Sequence, residues 1–337
     1  MRFTGNKEPL LRIKKHPQDF FVEEIFEHTT EKDYTDIQWV WNWTPKKYIR
    51  IKIQKTDTNT MDIVHMLMQQ YDLTRTQIWI AWLKDKYAVT IQWLSLDHHT
   101  YKRIWSLPIL NRMLAEKNTC ISARKRSDHP VTRSSHAANK FIIQAYPRKK
   151  LTINQYEQME KNLQQIKTQW FTNYFGIQRF GKQWRNYKRA VAILEQFAQS
   201  WQDSYQQIFA LQAYPAYRFN QLAQYRTPWT TYPWDILQET PRWTAPQGIL
   251  LWDRLDLLSS NTYQWQHEAH IVQTSTYWKY QAWLQNFGIR TRRRAVWILP
   301  QKLTRKRDRQ NKLTISFYLP PWSYATVLIN TIQNLTL

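Results

Sequence analysis

The sequence predicts an α+β fold in which strands near both chain ends enclose a largely helical middle. Three observations carry this. Ile49, Ile51 and Ile53 alternate with Arg50, Lys52 and Gln54, the period of a half-buried strand, and Asn139–Tyr146 and Leu313–Leu319 also read as strands. Val64, Leu67, Met68 and Tyr71 fall at i, i+3, i+4 and i+7, one face of a helix. Residues 186–225, dense in Gln and aromatics, read mainly as helices.

The elements follow in order. After the strand at 49–53, Thr58 or Asn59 is placed to cap a helix. Ile78–Trp82 and Ala88–Leu96 read as strands, so Asp85 falls in the turn between them, where a side chain can project into a cleft. In the strand at 139–146, Phe141 and Ile143 share a face. Thr152–Gln169 reads as a helix capped by Thr152. Residues 226–248 hold four prolines and read as irregular. Val296–Leu299 reads as a strand, and Ser323 as the cap of a last helix with Val327, Leu328 and Ile332 inward. This pattern predicts a domain made of 1–169 and 291–337, interrupted by an insertion at 170–290.

The chain has 337 residues, 42% of them hydrophobic, enough for a sizeable core. Its 48 Lys and Arg outnumber 25 Asp and Glu, a net charge of +23. The cations recur in clusters, at Arg124–Arg126, Arg148–Lys150, Arg290–Arg294 and Arg305–Arg309. Any one cluster is ordinary solvated surface; the summed excess points to a polyanion, above all nucleic acid. Nineteen Tyr and thirteen Phe can supply rings for stacking on unpaired bases, although most must form core. Cys120 is the only cysteine, which excludes an intrachain disulfide and a cysteine zinc site. Asp97-His98-His99 lies in a polar stretch, and no metal is assigned to it. No apolar run reaches the ~20 residues of a membrane span, and the N-terminus lacks a signal-peptide core. A soluble, cytoplasmic protein is expected.

Four stretches carry chemistry. Ala81-Trp82-Leu83-Lys84-Asp85-Lys86-Tyr87-Ala88-Val89-Thr90-Ile91-Gln92 sets one carboxylate between two lysines. It resembles the AG-x-KD-x-x-AVT-x-Q motif of the TruD family of tRNA pseudouridine synthases. Pro17–Glu24 is similar to that family's PEDF-x-V-x-E, Asn173–Gly181 to its NYFG-x-QRFG, and Leu319–Thr326 to its LP-x-GS-[FY]-AT. The four occur in the family's order and cover nearly the whole chain. The resemblance implies a pseudouridine-synthase fold with a family-specific insertion. It also implies a cofactor-independent isomerase that makes pseudouridine at position 13 of tRNA.

On that resemblance Asp85 is the catalytic carboxylate, a role a carboxylate fills as nucleophile or base. Lys84 matches the motif lysine, and Lys84 and Lys86 are expected to keep Asp85 ionised. Asn139 and Phe141 match the family's N-x-F strand, Asn139 being implied to orient the carboxylate or touch the target nucleotide. Phe20 and Tyr324 are implied to line the uridine pocket. Gln178 and Arg179 read as structural or RNA-positioning. The expected partner is tRNA, bound by a monomer without metal.

The chain departs from the family in one direction. Trp82, Trp184, Trp252 and Trp322 stand where the family pattern has glycine, and the chain holds 5 Gly against 19 Trp. Tryptophan is ill-suited to glycine's roles of positive φ and close backbone approach. The codon UGA is read as Trp in one variant genetic code and as Gly in another, so these four sites are expected to be glycine in the natural protein. Trp93 is expected to be genuine. If Trp82 and Trp322 are real, an indole beside Asp85 favours a non-catalytic RNA-binding protein on the same fold. A pseudouridine synthase for another RNA is the second alternative.

Overall fold

The computed structural model describes residues 8–26, 47–103, 107–132, 135–195, 210–225, 237–239, 244–250 and 292–333. The fold is α+β and forms two compact units. A sheet unit comprises Pro9–Leu151 and Gln301–Trp322; a second unit comprises Met1–Glu8, Thr152–Pro300 and Ser323–Leu337.

The sheet unit holds β1 (Leu11–Ile13), β2 (Phe20–Phe26), β3 (Tyr48–Thr56), β4 (Ile78–Ile80), β5 (Val89–Asp97), β6 (Thr119–Ser127) and β7 (His136–Pro147). In the second unit are β8 (Phe171–Thr172), β9 (Leu237–Glu239), β10 (Thr244–Leu250), β11 (Arg292–Ala295) and β12 (Trp297–Ile298). The chain returns to the sheet unit with β13 (Gln301–Arg307) and β14 (Leu313–Leu319). The large sheet runs β13-β14-β7-β2-β5-β3-β6, with β1 beside β7 and β4 beside β5. Among the described residues only β2 and β5 pair in parallel. Across this sheet the register lines up Ile315, Ile143 and Phe20, and in a second row Phe317, Phe141, Val22 and Thr90. Directly paired residues share a face. One face therefore carries Phe20, Glu24, Asn139 and Phe141, and through β5 and β3 also Gln92 and Lys55.

Helices α1 (Thr60–Tyr71), α2 (His98–Arg103) and α3 (Leu107–Glu116) belong to the same unit. Ile63, Val64 and Leu67 of α1 and Leu110 and Leu114 of α3 pack on Ile49, Ile51, Ile53, Leu94 and Leu96. The alternating strand and the i, i+3, i+4 helix thus meet in one core. Asn59 is the α1 N-cap by its backbone but makes no side-chain capping bond. Thr58 is occupied elsewhere, donating to Lys117 O at 2.7 Å.

The second unit holds α4 (Ile153–Thr168), α5 (Ile177–Phe180), α6 (Arg185–Glu195), α7 (Ala213–Tyr225) and α8 (Ala325–Ile332). Thr152 caps α4 as expected: its Oγ1 accepts from Gln155 N at 3.2 Å, and Gln155 Oε1 accepts from Thr152 N at 3.0 Å. Two expectations are corrected. The stretch 226–248 contains strands β9 and β10, with Pro246 opposite Leu237. The last helix is not capped by Ser323. Its N-cap is Tyr324, whose carbonyl accepts from Val327 N at 3.0 Å, leaving Ser323 one residue too early. Val327, Leu328 and Ile332 are buried as expected. Among the described residues no helix is long and apolar enough to cross a membrane, and no cluster of His, Cys, Asp and Glu could hold a metal.

Candidate active site

The loop 81–88 joins β4 to β5 and carries Asp85. Its backbone is held from below. Lys55 of β3 is 0% exposed, and its Nζ donates to Asp85 O at 2.8 Å and Thr58 O at 2.7 Å. Lys84 N donates to Thr60 Oγ1 at 3.3 Å, and Thr60 in turn donates to Gln92 Oε1 at 2.8 Å. The Asp85 side chain is 46% exposed. So a rigidly tethered backbone presents a half-exposed carboxylate.

The cation against that carboxylate is Lys14, at 3.1 Å, and not Lys84. Lys84 turns inward instead. Its Nζ lies 3.0 Å from Glu24 Oε1 and donates to Asn139 Oδ1 at 2.8 Å. Glu24 is 0% exposed and accepts from Trp93 N at 3.0 Å. A buried carboxylate attracts the nearest available ammonium more strongly than a solvated one does, because little water screens the pair. This is why Lys84 leaves Asp85 to Lys14. Asn139 is likewise bonded to Lys84 rather than to the Asp85 carboxylate.

Burial dominates the titration of the surrounding groups. It pushes the Glu24 carboxyl up, against the pull of Lys84 and the Trp93 N–H. It lowers the Lys55 ammonium to about 8, with the Asp85 charge opposing and Lys84 assisting. It lowers His136 to about 4, with Lys84 assisting, so that imidazole stays neutral.

Phe20 and Phe141 meet edge to face at 6.1 Å, and Phe141 stacks on Phe317 at 5.3 Å. Both pocket candidates are buried, and the Lys14 ammonium sits 4.0 Å from the Phe20 ring centroid. Lys14 therefore bridges the predicted stacking ring and the predicted catalytic carboxylate. The sheet unit thus brings together Phe20, Lys84, Asp85, Asn139 and Phe141. Tyr324 belongs to the second unit. There it lies 5.9 Å from Phe175 and 5.7 Å from the Arg294 guanidinium. Arg294 is buried and donates to Asn173 O at 2.9 Å and Asn173 Oδ1 at 2.7 Å. Asn220 clamps both backbone groups of Phe175, at 2.7 and 3.0 Å. Gln178 donates to Thr326 at 3.0 Å and Arg179 to Gln212 at 2.8 Å, both contacts that hold this unit together.

Lys14, Glu24 and Lys55 were missed by sequence reasoning. Glu24 is the last residue of the Pro17–Glu24 motif. Lys55 had a signal in periodicity: it continues the buried series Ile49, Ile51, Ile53, so a lysine there faces inward. Nothing local marks Lys14.

The tryptophan sites divide. Trp184 and Trp322 have φ of 64° and 68°, the left-handed region that glycine adopts freely. Trp322 is 46% exposed, and its ring meets Trp82 with centroids 4.1 Å apart, closer than the usual 4.5–7 Å of aromatic pairs. Trp82 is not among the positive-φ residues. Trp93 is 4% exposed and packs edge to face on Phe26 at 6.2 Å. Trp252 lies outside the described residues.

A half-exposed carboxylate on a braced loop, paired with an ammonium that also covers the Phe20 ring, can serve as nucleophile or base. A family model described as tRNA pseudouridine synthase D (TruD) matches residues 3–226. A tRNA pseudouridine synthase D of Hydrogenovibrio crunogenus is 25% identical over 356 residues, covering 99% of this chain and 95% of that one. Another, of Marinobacter nauticus, is 29% identical over 191 residues, 56% of this chain and 52% of its own length. That match, like several others, spans about half of the relative. A solved TruD structure from Methanosarcina mazei aligns at a TM-score of 0.60 and 15% identity, covering 99% of this chain and 96% of that one, a likeness of fold.

Proposed function

Because the chain belongs to the TruD family of tRNA pseudouridine synthases, we propose that it isomerises uridine to pseudouridine in tRNA, at position 13, with Asp85 as catalytic carboxylate. The reaction breaks the bond from ribose C1′ to uracil N1. The base turns while still held and is rejoined through C5; the C5 proton leaves and N1 gains one. Every atom of the nucleoside is kept and nothing is oxidised, so a carboxylate acting as nucleophile or base suffices without a cofactor. The observation that carries this reading is the setting of Asp85, with its own carbonyl tethered to buried Lys55 and its carboxylate 3.1 Å from Lys14.

In this reading Phe20 stacks on the extruded uracil, which requires Lys14 to leave the ring it now covers. Lys84 and Asn139, bonded to each other, shape the floor of the pocket with Phe141. Extruding a base from a folded RNA costs roughly a few kcal/mol in lost stacking and pairing, which such contacts offset. Residues 1–169 and 291–337 form the catalytic domain, with 170–290 as the insertion. The protein acts as a cytoplasmic monomer. A non-catalytic RNA-binding role is favoured by one observation, the Trp82–Trp322 contact at 4.1 Å next to the catalytic loop.

The test is pseudouridine formation in unmodified tRNA by the purified protein and by Asp85→Asn. The variant keeps the side chain's size and loses its charge and nucleophilicity. Turnover is expected to fall below detection while tRNA affinity changes little, since affinity rests mainly on phosphate contacts. Turnover by Asp85→Asn would remove Asp85 from the mechanism. No turnover by the parent protein on tRNA, with turnover on another RNA, would move the substrate.

A further inference from the structure

Strand β7 ends with both of its sides occupied. Ala145 lies opposite Leu313 of β14, while Ala145, Tyr146 and Pro147 pair with Ile13, Arg12 and Leu11 of β1. Three basic segments far apart in sequence therefore leave the sheet at one end: the β13–β14 hairpin, the run after β7, and β1. The hairpin presents exposed Arg305, Lys306, Arg307 and Arg309. The run after β7 presents exposed Arg148, Lys149 and Lys150, and β1 and its continuation present Arg12 and Lys15.

Two carboxylates at this end are engaged in bonds of their own. Asp308 braces the hairpin turn, accepting from Gln310 N and Lys312 N at 2.9 Å each, with Lys312 Nζ at 3.5 Å. Asp19 is buried and accepts from Tyr146 Oη at 2.8 Å and His16 N at 2.7 Å. The patch is also continuous with the catalytic loop. The Lys15 ammonium lies over the Tyr146 ring at 5.5 Å, Tyr87 of the loop donates to Lys15 O at 3.0 Å, and Lys14 ends the series on Asp85.

Edge strands commonly carry Lys and Arg to discourage pairing with other chains, and β13 is an edge. That accounts for cations on β13, but not for two further basic segments converging on the same end. Exposed cations gathered from three segments repel one another, and a polyanion laid across them relieves that repulsion. The opposite edge, β6, also carries exposed Lys125 and Arg126 and serves as the edge-only case.

We propose that this end of the sheet is a phosphate track: the sugar–phosphate backbone flanking the target uridine runs from the β13–β14 hairpin past Arg148–Lys150 to Lys15 and Lys14, which hand it to Asp85. The proposal rests on the reading of the chain as a tRNA-modifying enzyme. The experiment is filter binding of tRNA against salt, with turnover kinetics, for two variants that retain the parent's thermal midpoint. One is the triple variant Lys149→Gln, Lys306→Gln, Arg309→Gln; the other is the pair Lys125→Gln, Arg126→Gln. Each phosphate contact contributes about 0.7–0.9 to the slope of log affinity against log salt. The triple variant should lose about two units of slope, bind about 10–100-fold more weakly at low salt, and raise KM with kcat unchanged. The β6 pair should leave the slope as it was. An unchanged slope in the triple variant, or an equal loss per charge at both edges, overturns the track. Parent protein that binds tRNA with this same hairpin dependence yet forms no pseudouridine would defeat the catalytic reading and leave the track standing.

Discussion

Lys55 offers the sharpest test of how the catalytic loop is held. It is fully buried, yet its pKa of about 8 leaves it charged at neutral pH. A depression from 10.5 to about 8 corresponds to about 3 kcal/mol that the charged form costs the fold. The sign follows from proton counting. Between pH 8 and 10.5 the unfolded chain binds more protons than the folded one, so this contribution to stability rises with pH and is lost as pH falls through 8. A neutral amine has two N–H donors, enough for Thr58 O and Asp85 O, so the tether survives deprotonation. Lys55→Met removes the buried charge but strands those two carbonyls, at about 1–3 kcal/mol each. At pH 7 the opposing effects are of similar size, and stability should change by no more than about 2 kcal/mol. At pH 10 the parent has gained about 2 kcal/mol that the variant cannot gain. Urea unfolding of both proteins at pH 7, 8.5 and 10 measures this, and parallel stability curves would refute the reasoning. Loss of the tether also displaces Asp85. Turnover should fall about 10–100-fold with tRNA affinity unchanged, because an ångström of misplacement at a reacting group costs about that much.

Two further outcomes are expected. Lys84→Met should destabilise the protein by about 3–5 kcal/mol by leaving Glu24 buried without its ammonium. Burial already raises the Glu24 pKa above its ordinary value, so the loss should be smaller at pH 5 than at pH 8, and adding Glu24→Gln should recover most of it; equal unfolding free energies for parent and Lys84→Met would show that the pair does not matter. Trp82, Trp184, Trp252 and Trp322 should be encoded by UGA and Trp93 by UGG, with mass spectrometry of the natural protein showing glycine at the four sites. At Trp184 and Trp322 the left-handed backbone costs a side-chain-bearing residue about 1–2 kcal/mol, and Trp82→Gly with Trp322→Gly should raise both stability and turnover; UGG codons at all four positions would end the idea.

Local pattern alone was enough to establish the α+β class, the alternating strand β3, the apolar face of α1, the capping box of α4 and the loop position of Asp85. Each depends on residues within a few positions of one another, where backbone geometry couples periodicity to face. Strands β9 and β10 escaped notice because four prolines dominate the local signal, while pairing partners are supplied from elsewhere in the chain. The ion pairing around Asp85 was also beyond sequence reading. Adjacency in the chain pointed to Lys84, but charges pair through space, and a buried Glu24 outcompetes an exposed Asp85 for the nearest ammonium. Lys14, 71 positions away in the numbering, reaches Asp85 because β2 lies parallel to β5 and carries the segment before it alongside the loop. The basic clusters were visible one by one. Their gathering at one end of the sheet depends on the end of β7 pairing with β1 and β14, which meet at Ala145, and strand register is a property of the folded sheet that no local pattern contains.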